Sequence, residues 1–152
     1  MNHIRYLRVT QGLTQLQLRM ATGIEQSLLS SYENGIFIPT TPNLLSLSEF
    51  YKTNLDYLMD LTDEKQLYPK KTRLRSGERW INNIRYIRVT RELGQQALAD
   101  ASGIAQPSLS KYERGATMPT VKNLMKLATF YHTSLDYLMD LTDDPTPYPR
   151  KG

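Results

Sequence analysis

The chain contains one sequence twice, at an offset of 80 residues. Residues 2–72 align with residues 82–152 without a gap, and about 39 of the 71 aligned pairs are identical. Similarity at this level over such a length indicates a duplicated structural unit rather than shared composition. The length of 152 residues, which alone suggests one domain, is therefore divided between two. Each copy, at about 65 to 70 residues, lies near the lower limit for a domain with its own core.

Within each copy, one stretch predicts two short helices joined by a tight turn. In copy one, Thr14 begins a capping-box pattern, and Gly23 can end the helix that follows in the left-handed conformation. Leu29 and Tyr32 provide the inward face of the next helix. Helices joined this closely cross at a steep angle, which is the geometry of a helix-turn-helix. Copy two has Gly94 in place of Thr14, so we expect a weaker cap there.

Three further helices are predicted around this stretch in each copy. A first helix covers residues 2–11, and a fourth begins at a Thr cap near residue 40. Asn54 and Ser134 are expected to cap the fifth helices, the first of which ends near Leu61. Residues spaced three apart in the fourth helices should face the core, namely Leu44, Leu47 and Phe50, and Leu124, Leu127 and Phe130.

These stretches carry a family resemblance, which is found twice in register. Copy one reads Gln15…Ala21-x-Gly23-Ile24-x-Gln26-Ser27…Ser30-x-Tyr32-Glu33-x-Gly35…Pro39-Thr40, and copy two reads Gln95…Leu98-Ala99…Gly103-Ile104-x-Gln106…Ser110-Lys111-Tyr112-Glu113-Arg114-Gly115…Pro119-Thr120. The pattern resembles the phage-repressor/Cro family, the XRE-type helix-turn-helix. The resemblance implies an all-α chain of two tandem five-helix, lambda-repressor-like domains. The chain departs from the family at Asp60 and Asp140, where Gly is usual.

We divide the sequence into a helix-turn-helix domain at 1–62, a basic linker at 63–80, a second domain at 81–144 and a Pro-rich tail at 145–152. The linker contains Pro69, Gly77 and a run of charges, which predicts an extended or flexible segment. Residues 78–81 are expected to begin the first helix of copy two a turn early. The prolines of the tail exclude a helix, and we expect the tail to pack on its own domain through Tyr148.

The composition excludes several classes of protein. There is no cysteine, which rules out disulfides and thiolate metal sites. No apolar run approaches the roughly 20 residues of a membrane span, and the polar start predicts no signal peptide, so we expect a cytoplasmic protein. His3 and His132 lack carboxylates at ligand spacing, and the sequence has no phosphate loop or nucleophile arrangement. We therefore expect no enzyme activity, no metal and no cofactor.

The net charge of +4 is unevenly distributed along the chain. Residues 1–62 carry about −1, residues 63–80 about +3 and residues 81–152 about +2. A basic balance favours a polyanionic partner such as double-stranded DNA. Because copy one is not basic, the two copies could also do different work.

The resemblance assigns DNA contacts to the helix-turn-helix of each copy. Gln15 and Gln95 are implied to contact backbone phosphate, because a helix N-terminus presents free N–H groups to an anion. Gln pairs bidentately with adenine and Lys with guanine. The residues at or beside base-reading positions are Gln26, Ser27 and Ser31 in copy one, and Gln106, Pro107, Ser108 and Lys111 in copy two.

Two further sets of residues follow from the resemblance. Arg8 with Glu33, and Arg88 with Glu113, should form largely buried ion pairs between the first and third helices, because a buried Arg needs a fork-shaped partner. The fifth helix forms the dimer interface in phage repressors, and residues 55–63 and 135–143 are identical here. We therefore expect four side chains to point outward and form a two-fold contact, within one chain or between chains, namely Tyr57, Met59, Tyr137 and Met139.

These observations predict a sequence-specific regulator of transcription, more plausibly a repressor, with two recognition helices in successive major grooves. A two-fold contact predicts an imperfect inverted-repeat operator, because the recognition helices differ. Two alternatives remain open. Copy two could read DNA while copy one dimerises, or the chain could be a protein-binding module such as an antitoxin or antirepressor.

Overall fold

The computed structural model describes residues 2–67 and 82–150. This part of the chain is helical, with one isolated bridge and no strand, so the predicted all-α class with two tandem helical domains is confirmed. Residues 78–81 and most of the basic linker lie outside the described residues. The helices of copy one are α1 (His3–Thr10), α2 (Gln15–Thr22), α3 (Gln26–Glu33), α4 (Thr41–Tyr51) and α5 (Leu55–Leu58), and those of copy two are α6 (Ile84–Thr90), α7 (Gln95–Ser102), α8 (Gln106–Glu113), α9 (Val121–Tyr131) and α10 (Leu135–Leu138).

The chain forms two compact units. Unit 1 consists of residues 1–67 together with Tyr148–Gly152, and unit 2 consists of Tyr68–Pro147. The expectation that Tyr148 packs on its own domain is therefore wrong, because it belongs to unit 1. The Thr133 hydroxyl donates to the Pro145 carbonyl at 2.7 Å, which keeps the beginning of the tail on unit 2.

The helix ends follow from local sequence. The Thr14 hydroxyl accepts from the Gln17 N–H at 3.1 Å, and the Gln17 side chain accepts from the Thr14 N–H at 2.9 Å, which is the predicted capping box. Gly23 ends α2 with φ +76°, a conformation that costs a residue with a side chain more than glycine. Gly94 caps α7 with no side-chain hydrogen bond.

Restoring the missing cap should stabilise unit 2. Gly94 has φ −75° and ψ 159°, an extended conformation open to any residue, and a Cβ there would meet no atom within 4 Å. We expect Gly94→Thr to raise the free energy of unfolding of unit 2 by about 0.5–1 kcal/mol, through the cap and the smaller entropy of the unfolded chain. Denaturant titration measures the change, and an unchanged or lower midpoint would contradict it.

Leucines at matching positions of both units form the two cores. In unit 1, Leu18, Leu29, Leu44 and Leu47 are fully buried, and their counterparts in unit 2 are Leu98, Leu109, Leu124 and Leu127.

One predicted core position of α4 is wrong. Phe50 is 37% exposed and Phe130 of α9 is 36% exposed, whereas the next residues, Tyr51 and Tyr131, are buried. The helical repeat of 3.6 residues keeps positions i, i+3, i+4 and i+7 on one face, so from Leu44 that face reaches Tyr51 and not Phe50.

The fifth helices are single turns. α5 ends at Leu58, earlier than the expected Leu61, and Asp60 follows with φ +61°. Asp140 has φ +60° at the matching place in unit 2. A positive φ explains why glycine is usual at this position, and aspartate is among the residues that tolerate it best.

The expectation that the interface side chains point outward is wrong for three of the four. Tyr57, Tyr137 and Met139 are buried, and Met59 is half-buried. Tyr57 stacks on the His3 ring of its own unit at 3.8 Å between ring centroids. With only one turn in α5, Tyr57 lies against the start of α1 rather than on a free helix face. A fifth-helix interface stays a prediction.

The first residues of the linker are held by unit 1. The Asn54 side chain donates to the carbonyls of Glu64 and Gln66 at 2.7 and 2.9 Å, and the Thr53 hydroxyl donates to the carbonyl of Lys65 at 2.7 Å. Residues 64–66 therefore follow the surface of unit 1 beside α5.

Candidate nucleic-acid interface

α8 of unit 2 has a polar outer face opposite its buried residues. Leu109 and Tyr112 are buried on the inner side, while Pro107 and Lys111 are exposed on the outer side. Pro107 lies in the first turn, where its missing N–H costs no helical hydrogen bond. The face therefore presents a cation and short side chains on a rigid helix, which suits contact with the edges of base pairs.

An ion pair fixes α8 to α6. Arg88 donates through Nε and Nη2 to the two carboxylate oxygens of Glu113, both at 2.8 Å, and through Nη1 to the Leu93 carbonyl at 2.6 Å. The Glu113 side chain is 3% exposed and that of Arg88 is 13% exposed. The hydrogen bonds to Glu113 raise the pKa of Arg88, against the opposing effect of burial. The pair is therefore charged and bidentate, the geometry that Arg makes best.

A chain of hydrogen bonds continues from this ion pair to the outer face. The Gln95 amide at the start of α7 donates to Glu113 Oε1 at 3.3 Å. Gln106, at the start of α8, donates to Gln95 Oε1 at 2.7 Å. The two glutamines are thus oriented by one buried carboxylate, which reduces the rotamer entropy that either would lose on binding a partner.

Sequence reasoning named Gln95 and Gln106 but missed that they are linked. The signal in the sequence for a link between them is the separation of 11 residues, which recurs in copy one between Gln15 and Gln26. Because the crossing angle of the two helices decides which side chains meet, spacing alone could not establish the bond.

Unit 1 has the same ion pair but a different outer face. Arg8 donates to both oxygens of Glu33 at 2.8 Å and to the Leu13 carbonyl at 2.8 Å. Among the described residues, neither the Gln15 nor the Gln26 side chain makes a hydrogen bond, and Gln26 is exposed. The recognition helix of unit 1, α3, contains no basic residue, because Ser31 stands where unit 2 has Lys111.

The serines of α3 are partly used within the helix itself. The Ser31 hydroxyl donates to the Ser27 carbonyl at 3.0 Å, one turn earlier. Ser27 is exposed and Ser31 is half-buried, whereas Ser108 of unit 2 is half-buried at the start of α8. Hydroxyls bonded back to their own helix offer less to a partner than the free ammonium of a lysine.

A basic cleft lies beside the ion pair of unit 2. It has a volume of about 580 Å³ and lies between the start of α6, the start of α7 and the end of α8. Its lining contains three arginines and one carboxylate, so the charge is positive on balance; the polar side chains are those of Arg85, Arg88, Gln95, Ser110, Glu113 and Arg114. Copy one has Asn34 at the position of Arg114, so the extra positive charge belongs to unit 2 alone.

A buried phenol accompanies the ion pair in each unit. The hydroxyls of Tyr51 and Tyr131 are buried and have no hydrogen-bond partner within residues 2–67 and 82–150. Burial, with the charge of Glu33 as a smaller cause, raises the pKa of Tyr51 to about 12. Burial likewise raises the pKa of Tyr131 to about 12. Since a free phenol titrates near pH 10, the folded protein holds the phenolic proton more tightly than the unfolded chain does, so stability is unaffected by this titration below about pH 10 and falls as the pH rises from about 10 to about 12.

Removing one of these hydroxyls should stabilise its unit. We expect Tyr51→Phe to raise the free energy of unfolding by about 1 kcal/mol at neutral pH, since a buried hydroxyl without a partner carries an uncompensated desolvation cost. The free energy of unfolding of the variant should also fall less than that of the unaltered chain as the pH rises above about 10. Tyr32→Phe is the matched control, because the Tyr32 hydroxyl accepts from the Asn43 amide at 2.9 Å and its loss should destabilise. Denaturant melts that rank the two variants the other way would contradict the prediction.

Within residues 2–67 and 82–150, no group of three or more His, Asp or Glu side chains could hold a metal ion. No helix of that part is long and apolar enough to cross a membrane.

Comparison with known proteins matches both halves of the chain. The family model described as a helix-turn-helix domain matches residues 2–64, and the model described as helix-turn-helix matches residues 84–138. The chain is similar to an uncharacterized HTH-type transcriptional regulator, YobD, of Bacillus subtilis (strain 168), with 37% identity over 68 residues, 45% of this chain and 61% of the relative. It is also 37% identical over 57 residues to YqaE of that strain, of the same description, covering 38% of this chain and 49% of the relative.

The chain thus spans less than two thirds of the length of either relative. No solved structure matches it. The two family matches together cover both copies of the repeat, and each match contains the helix-turn-helix, the Arg–Glu ion pair and the recognition helix described above. The chain belongs to the XRE-type helix-turn-helix family and carries two copies of the domain in tandem.

Proposed function

We propose that the chain is a sequence-specific regulator of transcription that binds double-stranded DNA and acts as a repressor. The observation that carries the proposal is the outer face of α8, where exposed Lys111 lies on the same helix as Gln106, which is oriented through Gln95 by a buried carboxylate. A major groove accepts one α-helix, and these side chains can distinguish base pairs there. The names of the relatives, which describe transcriptional regulators, agree with this.

Affinity and discrimination between sequences would come from two different kinds of contact. Phosphate contacts at helix N-termini and basic side chains supply most of the affinity, and base contacts supply the discrimination. Because the domains share one chain, binding of the first raises the effective concentration of the second at its half-site. A single chain could then occupy two major grooves about one helical turn apart, as dimers of single domains do.

Titration of the intact chain with a selected duplex and a random duplex, over a series of salt concentrations, tests the proposal. We expect tighter binding to the selected duplex, with affinity falling steeply as salt rises because counterions are released from the phosphates. Equal affinity for both duplexes would overturn sequence-specific binding. Fusion of the selected site to a reporter promoter then separates repression, seen as lower expression, from activation.

A second candidate function gives unit 1 a different task. Ile36, Phe37 and Ile38, which follow α3, are 65%, 58% and 52% exposed, where unit 2 has Ala116, Thr117 and Met118. Leu16 and Met20 are also exposed on α2, where unit 2 has Gln96 hydrogen-bonded to Asp100 at 2.9 Å. A face more apolar and less basic than its counterpart favours contact with a protein over DNA. Unit 1 could then serve dimerisation, or the chain could act as an antitoxin or antirepressor.

Matched variants of the intact chain separate these functions. Gln106→Ala/Lys111→Ala removes the outer face of unit 2, and Gln26→Ala/Ser31→Ala removes the same positions in unit 1. If both units read DNA, both variants should weaken binding to the selected duplex. If only unit 2 reads DNA, the unit 1 variant should bind normally, while Phe37→Ser should shift the oligomeric state measured by light scattering.

The orientation of the operator half-sites is a further prediction. An imperfect inverted repeat is expected if the domains act about a two-fold axis, because Ser31 and Lys111 make the two half-sites unequal. Footprinting of the intact chain on the selected site measures the orientation. Two protected half-sites in direct repeat would contradict the two-fold arrangement.

A further inference from the structure

The end of the chain lies in the domain at the start of the chain. Unit 1 includes Tyr148–Gly152, although unit 2 continues to Pro147. Tyr148 is 1% exposed, which makes it one of the most buried large side chains of the described residues. Tyr148 is thus buried in a domain whose other residues end more than 80 positions earlier in the chain, and Pro149 and Arg150 lie exposed beside it.

Two residues of unit 1 hold this segment by its backbone and its charge. Thr62 forms an isolated antiparallel bridge with Arg150, and its hydroxyl donates to the Pro149 carbonyl. Arg150 Nη1 lies 3.6 Å from Asp56 Oδ2, and the Asp56 side chain is 1% exposed while that of Arg150 is 40% exposed. A carboxylate removed from water favours a nearby cation, and solvent around the exposed Arg150 side chain reduces the strength of this pair.

Unit 1 makes three contacts with the segment, and each depends on a different chemical feature of it. Burial of Tyr148 requires a large flat side chain, and the Thr62 hydroxyl uses a carbonyl, the only polar backbone group that proline retains. The Asp56 carboxylate favours a positive charge two residues after the tyrosine. Backbone pairing with selective side chains is how an extended peptide is recognised along the edge of a fold.

The sequence contains both the segment and its receiving residues twice. Tyr148-Pro149-Arg150-Lys151 matches Tyr68-Pro69-Lys70-Lys71, which lies outside the described residues. Asp136 and Thr142, at the positions of Asp56 and Thr62, are buried in unit 2 as their counterparts are in unit 1. The aromatic residue, the proline and the basic residue are thus present in both copies, although the residues just before them differ.

We propose that the surface of unit 1 around Asp56 and Thr62 is a recognition site for an extended Tyr-Pro-basic peptide, and that residues 148–150 of the chain itself are its occupant. We treat the segment as a ligand joined by the chain, because residues 144–147 with two prolines precede it and because it is held by the burial of one side chain, one bridge, one hydroxyl and one ion pair. The proposal concerns peptide recognition and does not depend on binding of DNA.

A peptide supplied separately tests the proposal on the full-length chain. The receptor is the variant Tyr148→Ala/Arg150→Ala, whose own segment is disabled, and the probe is a fluorescent synthetic peptide of residues 143–152. Fluorescence anisotropy should show saturable binding to this variant and at least tenfold weaker binding to the unaltered chain, whose own segment competes at high effective concentration. A probe with Tyr148→Ala should bind about 10- to 100-fold more weakly, as expected for loss of one buried aromatic side chain.

Receptor variants then locate the site. Added to the disabled chain, Asp56→Asn or Thr62→Val should each weaken probe binding about tenfold. The second variant is included because replacing the buried Asp56 could unfold unit 1, in which case Thr62→Val still tests the site. Asp63→Asn is the matched control, since that carboxylate is 71% exposed, and it should leave binding unchanged.

Three results would overturn the proposal: no saturable binding to the disabled chain, equal binding to the disabled and unaltered chains, or binding that neither receptor change affects. Dimers of the unaltered chain at high concentration that Tyr148→Ala abolishes would support the same site, filled by a second copy of the segment.

Discussion

Glu33→Ala is expected to lower the free energy of unfolding of unit 1 by about 2–4 kcal/mol. The change leaves the largely buried Arg8 guanidinium with its hydrogen bond to the Leu13 carbonyl at 2.8 Å but without its counterion, and such a charge carries most of its desolvation cost. A guanidinium keeps its proton at neutral pH even without a carboxylate partner, so deprotonation cannot relieve that cost. Denaturant melting of the intact chain, with hydrogen exchange to separate the two units, measures the effect.

Two comparisons make this prediction specific. Asp63→Ala removes an exposed carboxylate of the same unit and should change stability by less than about 0.5 kcal/mol. Glu113→Ala should destabilise unit 2 by a similar 2–4 kcal/mol and should also release Gln95 and Gln106, which are oriented by that carboxylate. No loss of stability in either Glu variant would mean that the ion pairs are exposed in solution.

Lys111→Ala is expected to weaken binding to the selected duplex by about 1–3 kcal/mol, with the loss concentrated at one base position. Lys111 is the exposed cation on the outer face of α8, where it can reach the acceptors of a guanine. Gln95→Ala should instead weaken binding to all duplexes if Gln95 contacts phosphate, and should also affect the position read by Gln106, because the two side chains are hydrogen-bonded. Binding-site selection on each variant measures the change in preference.

The matched control lies in the other copy of the repeat. Ser31→Ala changes the position that corresponds to Lys111, and since its hydroxyl is already bonded to the Ser27 carbonyl, the effect on affinity should be small. Equal losses for Lys111→Ala on the selected and random duplexes would reject base reading and leave Lys111 as a phosphate contact.

Local sequence determined most of the fold. The capping box at Thr14, the Gly23 turn and the caps at Asn54 and Ser134 all involve residues within four positions of one another, so the chain needs no distant partner to specify them. The repeat determined the number of domains. The helical period placed the leucines of both cores correctly but misplaced Phe50, where the neighbouring Tyr51 fits the same period better.

Tertiary structure decided what depends on residues far apart in the chain. The bond between Gln95 and Gln106 exists because two helices cross at one particular angle, and Tyr57 is buried because a one-turn helix meets the start of α1. The sequence shows that Tyr148 is repeated but not where it packs. The free energy of placing such a segment depends on a surface formed by residues 56 and 62, and a pattern within the tail holds no information about that surface.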